Sequence, residues 1–119
     1  MLGGANNVVV SWAVTEDKID TAVERIVQLV HPRRIILFGS AATGAMQENS
    51  DIDLLIVTDY EVSSPRKESV RIRSALRGIR VPMDLLIIGE DRLRELADQP
   101  GMIYREALRH GHVVYESPT

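Results

Sequence analysis

The sequence predicts an α/β (α+β) domain in which a small sheet is flanked by helices, and three observations carry that prediction. Apolar runs of strand length occur at 35–38, 51–57 and 81–88. Before and between them lie stretches with apolar residues three and four apart, the mark of an amphipathic helix. Glycine, proline or polar clusters bound each segment. The 119 residues suit a single domain over 1–119 with one core.

The elements follow in order. Residues 1–14, "MLGGANNVVVSWAV", open with glycine and asparagine and turn Val-rich, which suggests a flexible terminus followed by a short edge strand or partner contact. Thr15 is an N-cap candidate, and Glu16, Asp17 and Asp20 complement the positive end of a helix dipole. Ile19, Ala22, Val23, Ile26, Val27 and Val30 then line one face until His31-Pro32 stops the helix. Arg33-Arg34 lead into Ile35-Ile36-Leu37-Phe38, a continuous apolar run of the kind found in a strand covered on both faces, and Gly39-Ser40 closes it. The small residues of 41–46 suggest a short helix, and 47–50 a polar turn. A second strand covers 51–57 and a polar loop 58–64. Pro65 opens a helix whose apolar side is read as Val70, Ile72, Ala75, Leu76 and Ile79, with Gly78 near its end. The third strand, 81–88, carries one charge, Asp84, and Gly89 ends it. Helices at 90–97 and 101–110 are parted by Gln99-Pro100-Gly101, and 113–115 is a short last strand.

Composition narrows the function. The apolar share of 45% and charged share of 26% are those of a globular domain, which excludes a disordered or fibrous chain. A net charge of −3 argues against nucleic-acid binding through a general positive field, though not against a local basic patch. There is no cysteine, hence no disulfide framework or thiolate metal site, and the start lacks the layout of a secretory signal. No apolar run approaches the roughly 20 residues of a membrane span. A cytoplasmic protein is expected.

The charges in the strands need explaining. Asp51 and Asp53 are two apart on one strand and therefore project from one face, while Ile52 and Leu54 point the other way. Asp84 sits in "VPMDLLI", a near echo of "DIDLLIV", so it lies beside the pair if the two strands are neighbours in register. Three carboxylates at one place repel one another unless a cation joins them. Oxygen-only donors suit Mg²⁺ or Mn²⁺. Gly39-Ser40 offers what the carboxylates lack: a close backbone approach, a hydroxyl and N–H groups at a helix start, a fit for phosphate. Two metal ions about 3.5–4 Å apart would then serve phosphoryl or nucleotidyl transfer. A lone Gly-Ser is usually a turn and a lone Asp-x-Asp usually a polar strand edge. Their combination, with ten residues between Ser40 and Asp51 and a third aspartate downstream, is far more specific.

With that spacing, "GS-AATGAMQENS-DID", the chain resembles the nucleotidyltransferase superfamily related to DNA polymerase beta, from about 35 to 88. Its size is similar to that of the minimal nucleotidyltransferases, which are commonly encoded beside a HEPN-domain protein as a toxin–antitoxin pair. The resemblance implies a small mixed, mostly antiparallel sheet flanked by helices. It implies that Gly39 and Ser40 bind the triphosphate and that Asp51 and Asp53 hold the metals. Asp84 would complete the metal site and help activate the acceptor hydroxyl. It further implies an antitoxin that transfers AMP from ATP to a tyrosine hydroxyl of a HEPN RNase toxin, with two Mg²⁺ ions (or Mn²⁺) and no direct nucleic-acid partner. Many relatives carry a basic residue soon after Gly-Ser, where this chain has Ala41-Ala42-Thr43. Two rival readings stand beside this one: a transferase acting on a small molecule of aminoglycoside type, and an antitoxin that masks its toxin without catalysis. The few short elements after Asp84 favour an acceptor that docks as a macromolecule over one that needs enclosing walls.

Other residues carry weaker signals. Arg66, Lys67, Arg71, Arg73, Arg77 and Arg80 make a basic stripe, read as a solvated helix face with a nucleotide or partner contact as the alternative. His31, His110 and His112 lack metal-ligand spacing and are read as surface or capping residues, and Tyr104 and Tyr115 as packing residues. Trp12 is either core or part of a partner patch.

Overall fold

The structure is a computed structural model that describes residues 14–39, 42, 51–100 and 102–118. Trp12 with the rest of 1–13, Ser40, and the expected turn at 47–50 lie outside the described residues, as does all of the expected 41–46 helix except Ala42.

Among the described residues, eight elements follow one another: α1 (Glu16–Val30), β1 (Arg34–Phe38), β2 (Ile52–Thr58), α2 (Pro65–Ala75), β3 (Met83–Gly89), α3 (Glu90–Leu96), α4 (Ile103–His110) and β4 (His112–Glu116). Helix α1 starts where Thr15 Oγ1 accepts the Lys18 N–H at 3.3 Å. It stops at His31, a left-handed C-cap with φ 48° whose N–H reaches the Val27 carbonyl, directly before Pro32. Ser64 caps α2 in the same manner as Thr15 caps α1, with Pro65 in the first turn.

The sheet order is β3-β2-β1-β4. Strands β1 and β2 are antiparallel, as are β1 and β4, whereas β2 and β3 run parallel through the α2 crossover. The sheet is thus mixed and mostly antiparallel, with helices on both faces. Strand alternation divides the core in two. Ile35, Leu37, Ile52, Leu54 and Ile56 pack with Ile19, Ala22 and Ile26 of α1 and Ile72 of α2. Ile36, Phe38, Leu55, Val57 and Ile88 pack with Leu93 of α3 and Ala107 of α4. All four apolar residues of β1 are buried, as expected for a strand covered on both faces. Ile26 and Ile35 are fully enclosed, so truncating either to alanine costs about 2–5 kcal/mol.

Polar contacts tie the layers together. Arg34 Nη2 donates to both oxygens of Glu90, at 2.9 and 2.7 Å, joining the start of β1 to the start of α3. Arg25 Nη1 donates to the Ala75 and Arg77 carbonyls, and Lys18 Nζ to the Arg80 carbonyl at 2.6 Å, so α1 satisfies carbonyls at the end of α2 and in the turn after it.

Several boundaries shift by one or two residues. Asp51 and Val81 fall just outside β2 and β3, and β4 extends one residue further at each end. One face assignment is corrected. Val70 is not on the buried side of α2 but is 59% exposed, because it sits two residues from Ile72, on the opposite side of a 3.6-residue turn. Tyr104 and Tyr115 do pack against the two core clusters. Among the described residues, no helix is long and apolar enough to cross a membrane.

Candidate active site

Topology assembles the site. Because β1 and β2 are antiparallel, the last residue of β1 and the first residues of β2 share one end of the sheet. Because β3 is parallel to β2, its first residues arrive at that same end. The register pairs Phe38 with Asp53, and Asp53 with Asp84, making one row across three strands. Alternation places Asp53 with Leu55 and Val57, and Asp84 with Leu86 and Ile88, on the α3–α4 side of the sheet.

Gly39 follows Phe38 with φ +73°, a conformation that L side chains rarely adopt. A Cβ at this position would overlap Asp53 Oδ2 and lie 3.1 Å from Asp53 Cγ. The Asp53 carboxyl therefore rests against the Gly39 backbone, and only glycine leaves room for it. Asp53 is half-buried, and burial pushes its carboxyl up from 3.8 to about 6, reinforced by the charge of Asp84, a hydrogen bond with Asp84 and the charge of Asp51. Asp53 and Asp84 are thus close enough to share a proton. Among the described residues no Lys, Arg or His ion-pairs with Asp51, Asp53 or Asp84.

Two adjoining carboxyls with uncompensated charge fit a hard divalent cation such as Mg²⁺ or Mn²⁺. The register brings Asp53 and Asp84 together, and the charges of Asp84 and Asp51 both act on Asp53. Among the described residues, no group of three or more His, Cys, Asp or Glu side chains is arranged to hold a metal ion. Asp51 is exposed and precedes Ile52, the first residue held by the β2 ladder, and its charge reaches Asp53.

The segment that follows β1 is described at Gly39 and Ala42. The Ala42 N–H donates to the Gly39 carbonyl at 3.1 Å, closing a turn, and His112 Nε2 lies 2.6 Å from the Ala42 carbonyl, which requires an Nε2–H donor. His112, paired with Leu37 in β4, so fastens Ala42 to the edge of the sheet. The sequence reading put His112 with surface and capping residues. Nothing in spacing could reveal a contact between residues 70 apart. His31 is the α1 C-cap, and His110 lies on the exposed last turn of α4, 3.8 Å from Glu106.

A cavity of ≈ 620 Å³ opens at the other end of the sheet, between Tyr60, Ile88, Leu96 and Tyr104. It does not include Asp51, Asp53 or Asp84.

A four-stranded mixed sheet with helices on both faces is the nucleotidyltransferase type of α/β fold. The family model "Polymerase beta, Nucleotidyltransferase" matches residues 20–119, and the chain belongs to that family. It is a nucleotidyltransferase domain, of a class that typically uses ATP or another nucleoside triphosphate and a divalent metal. Among solved structures, it is similar to a chain of a toxin–antitoxin crystal structure with AMP-PNP. That likeness has a TM-score of 0.54 and 21% identity, covering 88% of this chain and 76% of the other. It is also similar to a protein from Sulfolobus solfataricus proposed to be a nucleotidyltransferase, with a TM-score of 0.49 and 16% identity over 87% and 90% of the two chains. No curated protein matches the sequence.

Proposed function

We propose that this protein is an antitoxin that transfers AMP from ATP to a hydroxyl, a tyrosine hydroxyl, of a cognate HEPN-domain RNase toxin and thereby neutralises it. The observation that carries the chemistry is the Asp53–Asp84 pair, uncompensated and pressed against Gly39 at one end of the sheet. Support for the biological setting comes from the like-folded chain of a toxin–antitoxin structure with AMP-PNP, an ATP analogue. Asp53 and Asp84, joined by Asp51, would hold Mg²⁺ or Mn²⁺, which supplies charge neutralisation of the triphosphate. Gly39 and Ser40 receive the phosphates, and His112 holds the turn at Ala42 beside them. The acceptor oxygen attacks the α-phosphorus, forming a new P–O bond. The bond from that phosphorus to the β-bridging oxygen breaks, and diphosphate leaves. Asp84, the exposed member of the pair, takes the hydroxyl proton.

The test is intact-mass spectrometry of the toxin after incubation with this protein, ATP and Mg²⁺. The expected result is a gain of whole AMP units that disappears with Asp51→Asn and Asp53→Asn. An unmodified toxin that is nevertheless neutralised, equally by the wild type and the Asn variants, refutes the transfer and leaves masking as the mode of action.

A further inference from the structure

Helix α2 and the turn after it hold a concentration of charge that the transfer chemistry does not use. Six of the sixteen residues 65–80 are Arg or Lys against a single Glu, in a chain whose net charge is −3. Arg66, Val70 and Arg73 follow at helical spacing of four and three, and Arg77 lies four further on in the turn. All four are exposed, on the side of the helix away from buried Ile72. Of the basic side chains, Arg71 is occupied by Glu68 and the Leu29 carbonyl. The side chains of Arg66, Lys67, Arg77 and Arg80 make no hydrogen bond or ion pair with any described residue. Arg73 is the link to the site. Its Nη1 donates to the Met83 carbonyl at 3.0 Å on the outer edge of β3, one residue before Asp84.

We propose that this stripe, Arg66, Val70, Arg73 and Arg77, is the surface on which a partner protein docks through an acidic segment bearing an apolar residue. Arg73, anchored at the Met83 carbonyl, brings that partner beside Asp84. The charge selects an acidic surface, and the 59% exposed Val70 in its middle selects a protein, since a phosphate backbone gains nothing from an apolar centre. The excess negative charge of the rest of the chain would repel a nucleic acid beyond the stripe. That the docked partner is the acceptor rests on the transfer reaction proposed above, whereas the docking does not.

Fluorescence anisotropy tests the surface without catalysis. The probes are a labelled peptide of glutamate, leucine and one tyrosine, the same peptide with lysine for glutamate, and an oligouridylate. The acidic peptide is expected to bind at least roughly tenfold tighter than the other two, with affinity falling as salt rises. Arg66→Gln/Arg77→Gln should lower that affinity and Arg66→Glu/Arg77→Glu abolish it, with unchanged circular dichroism. Equal binding of the acidic and basic peptides, or tighter binding of the oligouridylate, overturns the proposal on the wild type alone. Acidic-peptide binding with no transfer of label from ATP to any tyrosine, or to the toxin, refutes the transferase reading and leaves the docking surface standing. Transfer with no acidic preference does the reverse.

Discussion

Asp53→Asn is expected to stabilise the metal-free protein near neutral pH while removing its nucleotidyl transfer. The Asp53 carboxyl titrates at about 6 in the folded chain against 3.8 for the ordinary group, mainly because burial and the neighbouring Asp84 oppose its charge. Between those values the folded state keeps a proton that the unfolded state has released. The stability this proton contributes is complete below the unfolded value and is lost as pH rises through about 6. Converted at 1.36 kcal/mol per pH unit, the shift amounts to about 3 kcal/mol. Asp53 is only half-buried, and solvent screening reduces the realistic figure to about 1 kcal/mol. A domain of this size would shift by roughly 4 °C for that difference. Asparagine keeps the side-chain shape and an amide donor for Asp84, so no cavity offsets the gain. The assay is thermal unfolding by circular dichroism in EDTA, wild type against Asp53→Asn, at about pH 3 and about pH 8. The two proteins should melt together at the lower pH, and the variant should melt higher at the upper. Added Mg²⁺ should raise the wild type alone, because a ligand stabilises only the state that binds it. A variant that melts at or below the wild type at the upper pH refutes the claim that Asp53 sits in uncompensated negative potential.

Three further substitutions probe the neighbouring parts. Gly39→Ala should cost about 1–2 kcal/mol from the left-handed backbone alone, measured by denaturant unfolding. It should also abolish transfer by displacing the Asp53 carboxyl, and retained activity would show that Gly39 does not shape the site. Asp84→Asn should leave ATP affinity nearly unchanged in calorimetry while slowing transfer by about a hundredfold or more, and wild-type turnover would remove Asp84 as the proton acceptor. His112→Ala deletes the hydrogen bond to the Ala42 carbonyl, worth about 0.5–1.5 kcal/mol, and should weaken Mg²⁺-ATP binding roughly three- to tenfold, with partial recovery in His112→Gln. An unaltered affinity would mean that the turn needs no such anchor.

The pairing of Asp53 with Asp84 was legible because two strands share the order Asp-Leu-Leu-Ile, and like side-chain orders on neighbouring strands bury like faces only when they are in register. The strand direction was legible only as the mixture of types. Each apolar run states that it is buried, not which neighbour it joins, and it is the α2 crossover that makes β2 and β3 parallel. Asp51 shows the limit of period-two reasoning. It shares a face with Asp53 by sequence, but it lies one residue before the ladder begins, so alternation gives its direction without a ladder to set its position. Val70 shows the matching limit for helices. Ile72, Leu76 and Ile79 are spaced by four and three, whereas Val70 is two from Ile72 and falls across the helix, where it turns a stripe of arginines into a surface with an apolar centre. His112 and Arg73 reach the site through backbone carbonyls, at Ala42 and Met83. A carbonyl is present at every position of every chain, so such anchors leave no residue pattern in the sequence and become visible only once the sheet has brought the elements together.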